Sequence, residues 1–338
     1  MEEKEKYSYT PLKEPIAITE QKWPEGTLPL VSTSTVTYNH ESFIRDCIEG
    51  ILMQKTTFPV RVCIFEDAST DKTADIVKEY AERYPGFIFA FCQKVNTHNK
   101  PTRKEAKRPF NKMQNVAKYI ALCEGDDYWT DPLKLQKQVD FMETNQDYSL
   151  CFHGWKNIFN NDPSNYLIFQ PKEILGDSSF GTEDVILGNV GIMATNSIFF
   201  STRHVINIPE WMSNAPVGDF PLILLLSTKG KIGYIDDVMS VFRVASSSSA
   251  WSVKMAQSYK MRRNFHYGML NMYTGFDIWT NRKYHRIIIK KKNILKKRYA
   301  KQLLLFALNK IIPKSLKRSR FYYFFKRIQN HKQLNFDV

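Results

Sequence analysis

The spacing of apolar positions along this chain switches repeatedly between strand and helix periods. "LPLVSTSTVTYN" (Leu28–Asn39) is β-branched with partial alternation and predicts a strand ending at Tyr38-Asn39. "HESFIRDCIEGILMQ" follows, with Phe43, Ile44, Cys47, Ile48, Ile51 and Leu52 at helical spacing and Ser42 as a candidate cap. "VRVCIFED" (Val60–Asp67) is a short apolar run bounded by Pro59 and polar residues, hence a buried strand. "STDKTADIVKEYAERY" predicts a helix stopped by Pro85-Gly86, and "FIFAFC" (Phe87–Cys92) and "KYIALCE" (Lys118–Glu124) predict two more strands. Alternating strands and helices imply an α/β fold, a mostly parallel sheet covered by helices. In such sheets ligands bind beyond the carboxyl ends of the strands. Two acidic clusters, Glu66-Asp67 and Glu124–Asp127, stand at such ends.

After Leu150 the pattern is less regular. "NSIFFS" (Asn196–Ser201) and "KIGYID" (Lys231–Asp236) predict strands, and "GDFPLILLLSTKG" (Gly218–Gly230) a buried helix with Asp219 at its start. The first 28 residues are polar, carry Pro11, Pro15 and Pro24, and read as an extended arm. The expected organisation is an arm over 1–28, one α/β domain over 29–250 and a basic helical region over 251–338.

Charge sharpens that division. Of the 48 Lys/Arg in the chain, 18 lie from Arg282 onward against the single acid Asp337, so the first 281 residues hold 30 basic and 33 acidic residues. The formal charge of +14 therefore belongs to the tail. That argues against nucleic-acid binding over the whole surface and for one localised anionic partner. The five cysteines form no close pair and sit mostly in apolar runs, as buried thiols of a reducing compartment do. "MEEKEKYSYTPLKEP" has no apolar core and does not read as a signal peptide, and no stretch approaches about 20 uninterrupted apolar residues. A cytoplasmic location is expected.

In "EGDDYWTDPLKLQKQ" four acids fall close together. Asp131 precedes Pro132 and a helical pattern, the arrangement of an N-cap with a favoured first helical residue. Glu124, Asp126 and Asp127 instead follow a strand too apolar to be exposed, with Gly125 free to turn. Three carboxylates at a strand end make a hard-oxygen site suited to Mg²⁺ or Mn²⁺ bridging to substrate phosphates. Asp219, read from its position alone, caps the helix that follows it. A basic segment from Lys94 to Lys112, with seven Lys/Arg and one Glu, is either a solvated loop or a loop over an anionic ligand.

"TVTYNHESFIRDCIEGILMQ", "FEDASTDKT" and "EGDDYWTDPLKLQKQ", in that order, resemble the family 2 glycosyltransferases, from about Pro29 to Val244. The resemblance implies a GT-A fold, an inverting transfer from a nucleotide-sugar, a UDP-sugar foremost, and a divalent cation at a DxD-type motif. Glu124 stands first where the family usually has Asp, which shifts the expected metal ligands toward Asp126 and Asp127 with Glu124 third. The resemblance further implies that Asp219, in "PVGDFPL", is the general base. It implies that Glu66-Asp67 contact the nucleoside, Thr37, Tyr38 and Asn39 hold the base, and Arg243 contacts a phosphate. Ala245 stands where relatives carry a histidine, so no histidine metal ligand is expected.

The tail mixes "RIIIKK", "QLLLFALNKII" and "FYYFF" with Lys/Arg, a pattern suited to an anionic membrane surface through residues 282–338. The acceptor implied is a saccharide or lipid-linked saccharide at the cytoplasmic face of a membrane. Two rival functions are weaker. A sugar-1-phosphate nucleotidyltransferase needs a glycine-rich loop after the first strand, and "STVTYNHES" has no glycine. A non-catalytic polyanion-binding protein leaves the acidic strand ends unexplained.

Overall fold

The computed structural model describes residues 7–98, 100–170, 179–191, 193–244 and 258–311. Ala245, the serines 246–249 and the tail beyond 311 lie outside the described residues. In chain order the elements are β1 (Ile16–Ala17), β2 (Val31–Thr37), α1 (Ile44–Leu52), β3 (Lys55–Thr56), β4 (Val60–Glu66), α2 (Thr73–Arg83) and β5 (Ile88–Cys92). Then come α3 (Arg103–Ala106), α4 (Arg108–Gln114), β6 (Tyr119–Leu122), β7 (Tyr128–Trp129), α5 (Lys134–Thr144), β8 (Tyr148–Phe159) and β9 (Asp162–Phe169). The last are α6 (Thr182–Leu187), β10 (Phe199–Ser201), α7 (Asp219–Ser227), β11 (Lys231–Val244), α8 (Tyr259–Trp279) and α9 (His285–Ile311). They fall into two compact units. The described residues of 7–179, 193–207 and 226–244 form the first, and those of 180–191, 208–225 and 258–311 the second.

The first unit is built on a nine-stranded mixed sheet ordered β5-β4-β2-β6-β10-β8-β11-β7, with β9 paired to β8. β5, β4, β2 and β6 run parallel, so their carboxyl ends share one edge. β10 is antiparallel to both β6 and β8, and β11 runs parallel to β8. Only residues 123–127 join β6 to β7, although three strands separate them in the order. The sheet must curl to let so short a link reach. α1 packs against β7 so closely that a Cβ on Gly50 would lie 2.8 Å from the Trp129 carbonyl oxygen. Val31, Val62, Ile64, Ala121 and Phe199 of the sheet share one buried cluster with Ile44, Ile48 and Ile51 of α1 and with Leu135 and Val139 of α5.

Several boundaries differ from the sequence reading for local reasons. Ser42 does not cap α1, whose first residues follow Phe43 without a side-chain cap. α5 starts at Lys134, not at Pro132; Asp131 accepts the Leu133 N–H at 2.8 Å and an ammonium hydrogen of Lys137 at 2.7 Å. Before α2, Asp71 accepts the Thr73 N–H at 2.9 Å. β11 continues to Val244, well past Asp236, with bulges between Ile235 and Ser240. The polar first segment is not free: β1 pairs with β3, and Gln21 donates to the Thr56 carbonyl at 2.7 Å.

The second unit is helical. Ser258 caps α8, its hydroxyl accepting the Met261 N–H at 3.2 Å. α8 buries Met269, Met272, Tyr273 and Phe276, and Trp211 sits edge-on to Phe276. A Cβ at Gly275 would meet the Trp211 Cβ at 2.6 Å. Asn281 and Arg282, both with left-handed φ, break α8 from α9, where His285 bonds Asp277 at 2.7 Å. α9 contains no acidic residue. Among the described residues no helix is long and apolar enough to cross a membrane.

Candidate active site

The parallel strands deliver their last residues to one edge, and the loops that follow are bonded to one another. The Asp67 amide donates to the Thr37 carbonyl at 3.1 Å, and the Gly125 amide to the Val36 carbonyl at 3.1 Å. Asn39 lies across the loop after β4: its amide donates to Ser69 Oγ at 2.9 Å and its side-chain oxygen accepts the Thr70 N–H at 2.8 Å. Asn39 and Ala68 both hold positive φ, 55° and 57°. Asparagine tolerates that region; alanine there stores about 1 kcal/mol or more of strain. The Ala68 turn brings the Ser69 amide onto Glu66 Oε1 at 2.7 Å.

Glu66 is fully buried, and its Oε2 has no hydrogen-bond partner among the described residues. Asp67 is nearly as buried but fully occupied. Its Oδ1 accepts the amide and hydroxyl of Thr97 at 2.8 and 2.7 Å, and its Oδ2 pairs with Arg103 at 2.7 Å. Burial pushes the Asp67 carboxyl up, but the Thr97 and Arg103 bonds outweigh it and hold it below the usual carboxylate range. Tyr38 stands exposed at the edge, at 39%, so it is not a core aromatic.

The acidic turn sits beside this. Thr37 Oγ1 and His40 Nδ1 lie 3.2 Å apart, and His40 Nε2 is 3.9 Å from Asp126 Oδ2. Gly125 packs between them: a Cβ there would lie 2.4 Å from Thr37 Oγ1 and 2.9 Å from His40 Nδ1. Glycine is therefore demanded by close approach; its φ is not positive. Glu124, Asp126 and Asp127 each offer a carboxylate oxygen, and these oxygens lie within 4.8 Å of one another. Glu124 is exposed, Asp126 half-buried and Asp127 buried. Burial pushes the Asp127 carboxyl well up, and the Asp126 and Glu124 charges push it further, against the bond from the Arg243 amide. That amide bonds Asp127 Oδ1 at 2.8 Å, while Oδ2 is buried without a partner among the described residues. Three clustered carboxylates with an orphaned buried oxygen are the donor set a divalent cation takes, so the residues fit Mg²⁺ or Mn²⁺.

Arg243, at the end of β11, ties the turn down. Its guanidinium donates to the Asp126 carbonyl at 2.7 Å and pairs with Asp46 of α1. It also lies over the rings of Tyr128 and Phe43 at 4.5 and 5.1 Å. Thus Thr37, Asn39, Glu66, Asp67, Glu124, Asp126, Asp127 and Arg243 lie on one bonded edge. Asp219 lies in the second unit, as the first residue of α7, where its Oδ1 accepts the Phe220 N–H at 2.8 Å. The sequence singles out none of His40, Asp46 and Arg103 as site residues. Their only signals are the position of His40 just after β2 and the basic bias of the segment containing Arg103.

Comparison with known proteins bears on this edge. The family model for glycosyl transferase family 2 matches residues 32–200. An uncharacterized protein of Mycobacterium tuberculosis is 33% identical over 213 residues, 63% of this chain and 58% of that protein. TuaG of Bacillus subtilis, named provisionally as a teichuronic acid biosynthesis glycosyltransferase, is 28% identical over 166 residues, 49% of this chain and 62% of TuaG. The match thus spans about three fifths of these relatives' own length. Among solved structures, S. aureus TarS residues 1–349 in complex with UDP-GlcNAc superimposes with a TM-score of 0.53 at 16% identity, over 73% of this chain and 66% of that one. The mixed sheet flanked by helices is the GT-A fold of that structure.

Proposed function

The chain belongs to glycosyl transferase family 2, and from that premise we propose that it moves a sugar, with inversion, from a nucleotide-diphosphate donor to an acceptor hydroxyl. The donor is a UDP-sugar carrying a hexosyl or N-acetylhexosaminyl group. The acceptor is a saccharide or lipid-linked saccharide in surface polysaccharide assembly, the class for which TuaG is named. The observation that carries this is the convergence of a polar edge, Asn39 to Asp67, with three carboxylates whose oxygens lie within 4.8 Å.

Each part has a task. Tyr38 offers an exposed ring for base stacking, and Thr37, Asn39, Glu66 and Asp67 supply the polar contacts to the nucleoside. Asp126 and Asp127, with Glu124 as a third ligand, would hold the cation. When bound there, Mg²⁺ or Mn²⁺ supplies charge compensation for the diphosphate leaving group. Arg243 keeps the acidic turn in place and stands on its phosphate side. Asp219 takes the proton from the acceptor hydroxyl as that oxygen attacks the anomeric carbon, a single displacement that needs one positioned base. The basic helix α9 and the tail rest on an anionic membrane surface, at the cytoplasmic face where a lipid-linked acceptor is assembled.

A panel of nucleotide-sugars with Mn²⁺, Mg²⁺ or chelator, followed by product anomer analysis, tests the reading. Asp219→Asn should retain nucleotide binding and lose on the order of 10²-fold or more in turnover. Turnover at wild-type rate in that variant would remove Asp219 from the chemistry. A wild type that binds no nucleoside diphosphate under any of these conditions would overturn the whole reading.

A further inference from the structure

The basic segment Lys94–Lys112 contains one cation that the fold buries partly and leaves without an acceptor. Lys107 lies at the junction of α3 and α4, with its ammonium 5.5 Å from the Phe65 ring centroid and 5.4 Å from that of Phe110. Both rings are buried and belong to one small cluster with Cys63, against which Phe91 and Ala106 pack. Among the described residues this ammonium makes no hydrogen bond or ion pair, whereas Arg103 is taken by Asp67 and Arg243 by Asp46. Burial and Arg103 push Lys107 down to about 8, and the charges of Asp67 and Glu124 act on it in the opposite sense. Phe65 directly precedes Glu66 and Asp67, and Arg103, one turn before Lys107, is bonded to Asp67, so Lys107 borders the Asp67 side of the candidate site.

A half-buried ammonium over apolar rings with no acceptor is costly unless an anion arrives to meet it. A nucleoside diphosphate is such an anion. Its base would lie near Asp67 and its diphosphate near Glu124 and Asp126, along the edge that Lys107 borders through Phe65. A single divalent cation leaves part of that charge uncompensated. We propose that Lys107 is a donor-binding residue whose ammonium takes a phosphate oxygen of the nucleotide-sugar, between the Asp67 edge and the Glu124–Asp126 carboxylates. Phe65 and Phe110 give the ammonium an aromatic platform, 5.5 and 5.4 Å from their ring centroids. This inference rests on the edge being a nucleotide-sugar site.

Titration calorimetry on the full chain with saturating Mn²⁺ separates the possibilities, using UDP, GDP and CDP beside uridine, guanosine and cytidine. For whichever diphosphate the wild type binds, Lys107→Met should weaken the diphosphate about ten-fold or more and leave the matching nucleoside unchanged. Lys107→Arg should restore most of the loss. Lys107→Gln, which keeps part of the stem over the rings, should behave as Lys107→Met and guards against a folding defect. Equal loss for nucleoside and diphosphate would make Lys107 a packing residue and overturn the inference. So would unchanged diphosphate affinity, or a tightening of Mn²⁺ binding alone, which would mean that Lys107 only offsets Glu124. Failure of the wild type to bind any of the three diphosphates is a different result, and overturns the nucleotide-sugar reading itself.

Discussion

A methyl group at Gly125 would enter the space of Thr37 Oγ1 and Cβ, at 2.4 and 2.6 Å, and of the His40 ring at 2.9 Å. No flexible chain end can yield there, because Thr37 is the buried last residue of β2. Gly125→Ala should therefore cost about 1–3 kcal/mol in stability and displace the acidic turn, which urea melts with and without Mn²⁺ would register as a smaller metal-induced gain. Asp127 yields a second test. Its carboxyl is held well above the ordinary value of 3.8 by burial and by Asp126 and Glu124. The folded state thus favours the protonated form, and stability is lost as pH rises from about 4 through the raised value. Asp127→Asn keeps a side-chain oxygen for the Arg243 amide, so in chelator it should melt higher than wild type, with the gap widening as pH rises through that range. A gap independent of pH between 4 and 7 would contradict the electrostatic account. The sequence marks Glu124, Asp126 and Asp127 as a cluster, because acids after an apolar strand are conspicuous. It does not show which of them reaches solvent, since that depends on Arg243, more than a hundred residues away.

At the scale of elements, α5 buries a lysine in its first turn. Lys134 is fully buried, with its ammonium 4.0 Å from the Trp129 ring centroid of β7 and 2.6 Å from Gln138 Oε1. Gln138 in turn donates to the Ser197 carbonyl at 3.0 Å, so α5, β7 and the turn before β10 are joined through one polar chain. Burial lowers Lys134 to about 7 from its usual 10.5, against the charge of Asp131. Between those two values the unfolded chain binds the proton and the folded one does not. Stability therefore rises with pH from about 7 toward 10.5, and the full penalty is present below 7. Relative to Lys134→Met, wild type should gain stability across that window, by chemical denaturation at stepped pH; parallel curves for the two proteins would refute it. The early strands and helices were legible because each has a clean apolar period and a breaker at its end. The hairpin β8–β9 and the continuation of β11 past Asp236 were not. β9 is exposed over nearly its whole length, so it carries no burial pattern, and the bulges between Ile235 and Ser240 in β11 interrupt the alternation that would have extended the strand.

For the whole molecule, the division of charge is the feature with a consequence of its own. A near-neutral sheet unit carries the candidate nucleotide and metal edge, and α9, from His285 to Ile311, carries cations without a single acid. On α9, Arg286, Lys290 and Lys297 share one face with Ile289, Asn293 and Ile294, lining an open groove of about 400 Å³. Ile289 is exposed beside those cations. Apolar side chains between lysines bind poorly to a neutral lipid surface and better to an anionic one, at roughly 1 kcal/mol per basic residue near the headgroups. Reversing Arg286, Lys290 and Lys297 to Glu should then lower partition onto phosphatidylglycerol vesicles by about 100-fold or more. Partition onto phosphatidylcholine vesicles should stay low for both proteins, and transfer to a water-soluble acceptor should be preserved. Raising salt to about 1 M should release the wild type, since the Debye length falls to about 3 Å. Flotation of the reversed variant equal to wild type on anionic vesicles would sink the membrane reading. The transferase reading would survive that result, because the nucleotide and metal edge lies in the other unit and Asp219 is not among the reversed residues.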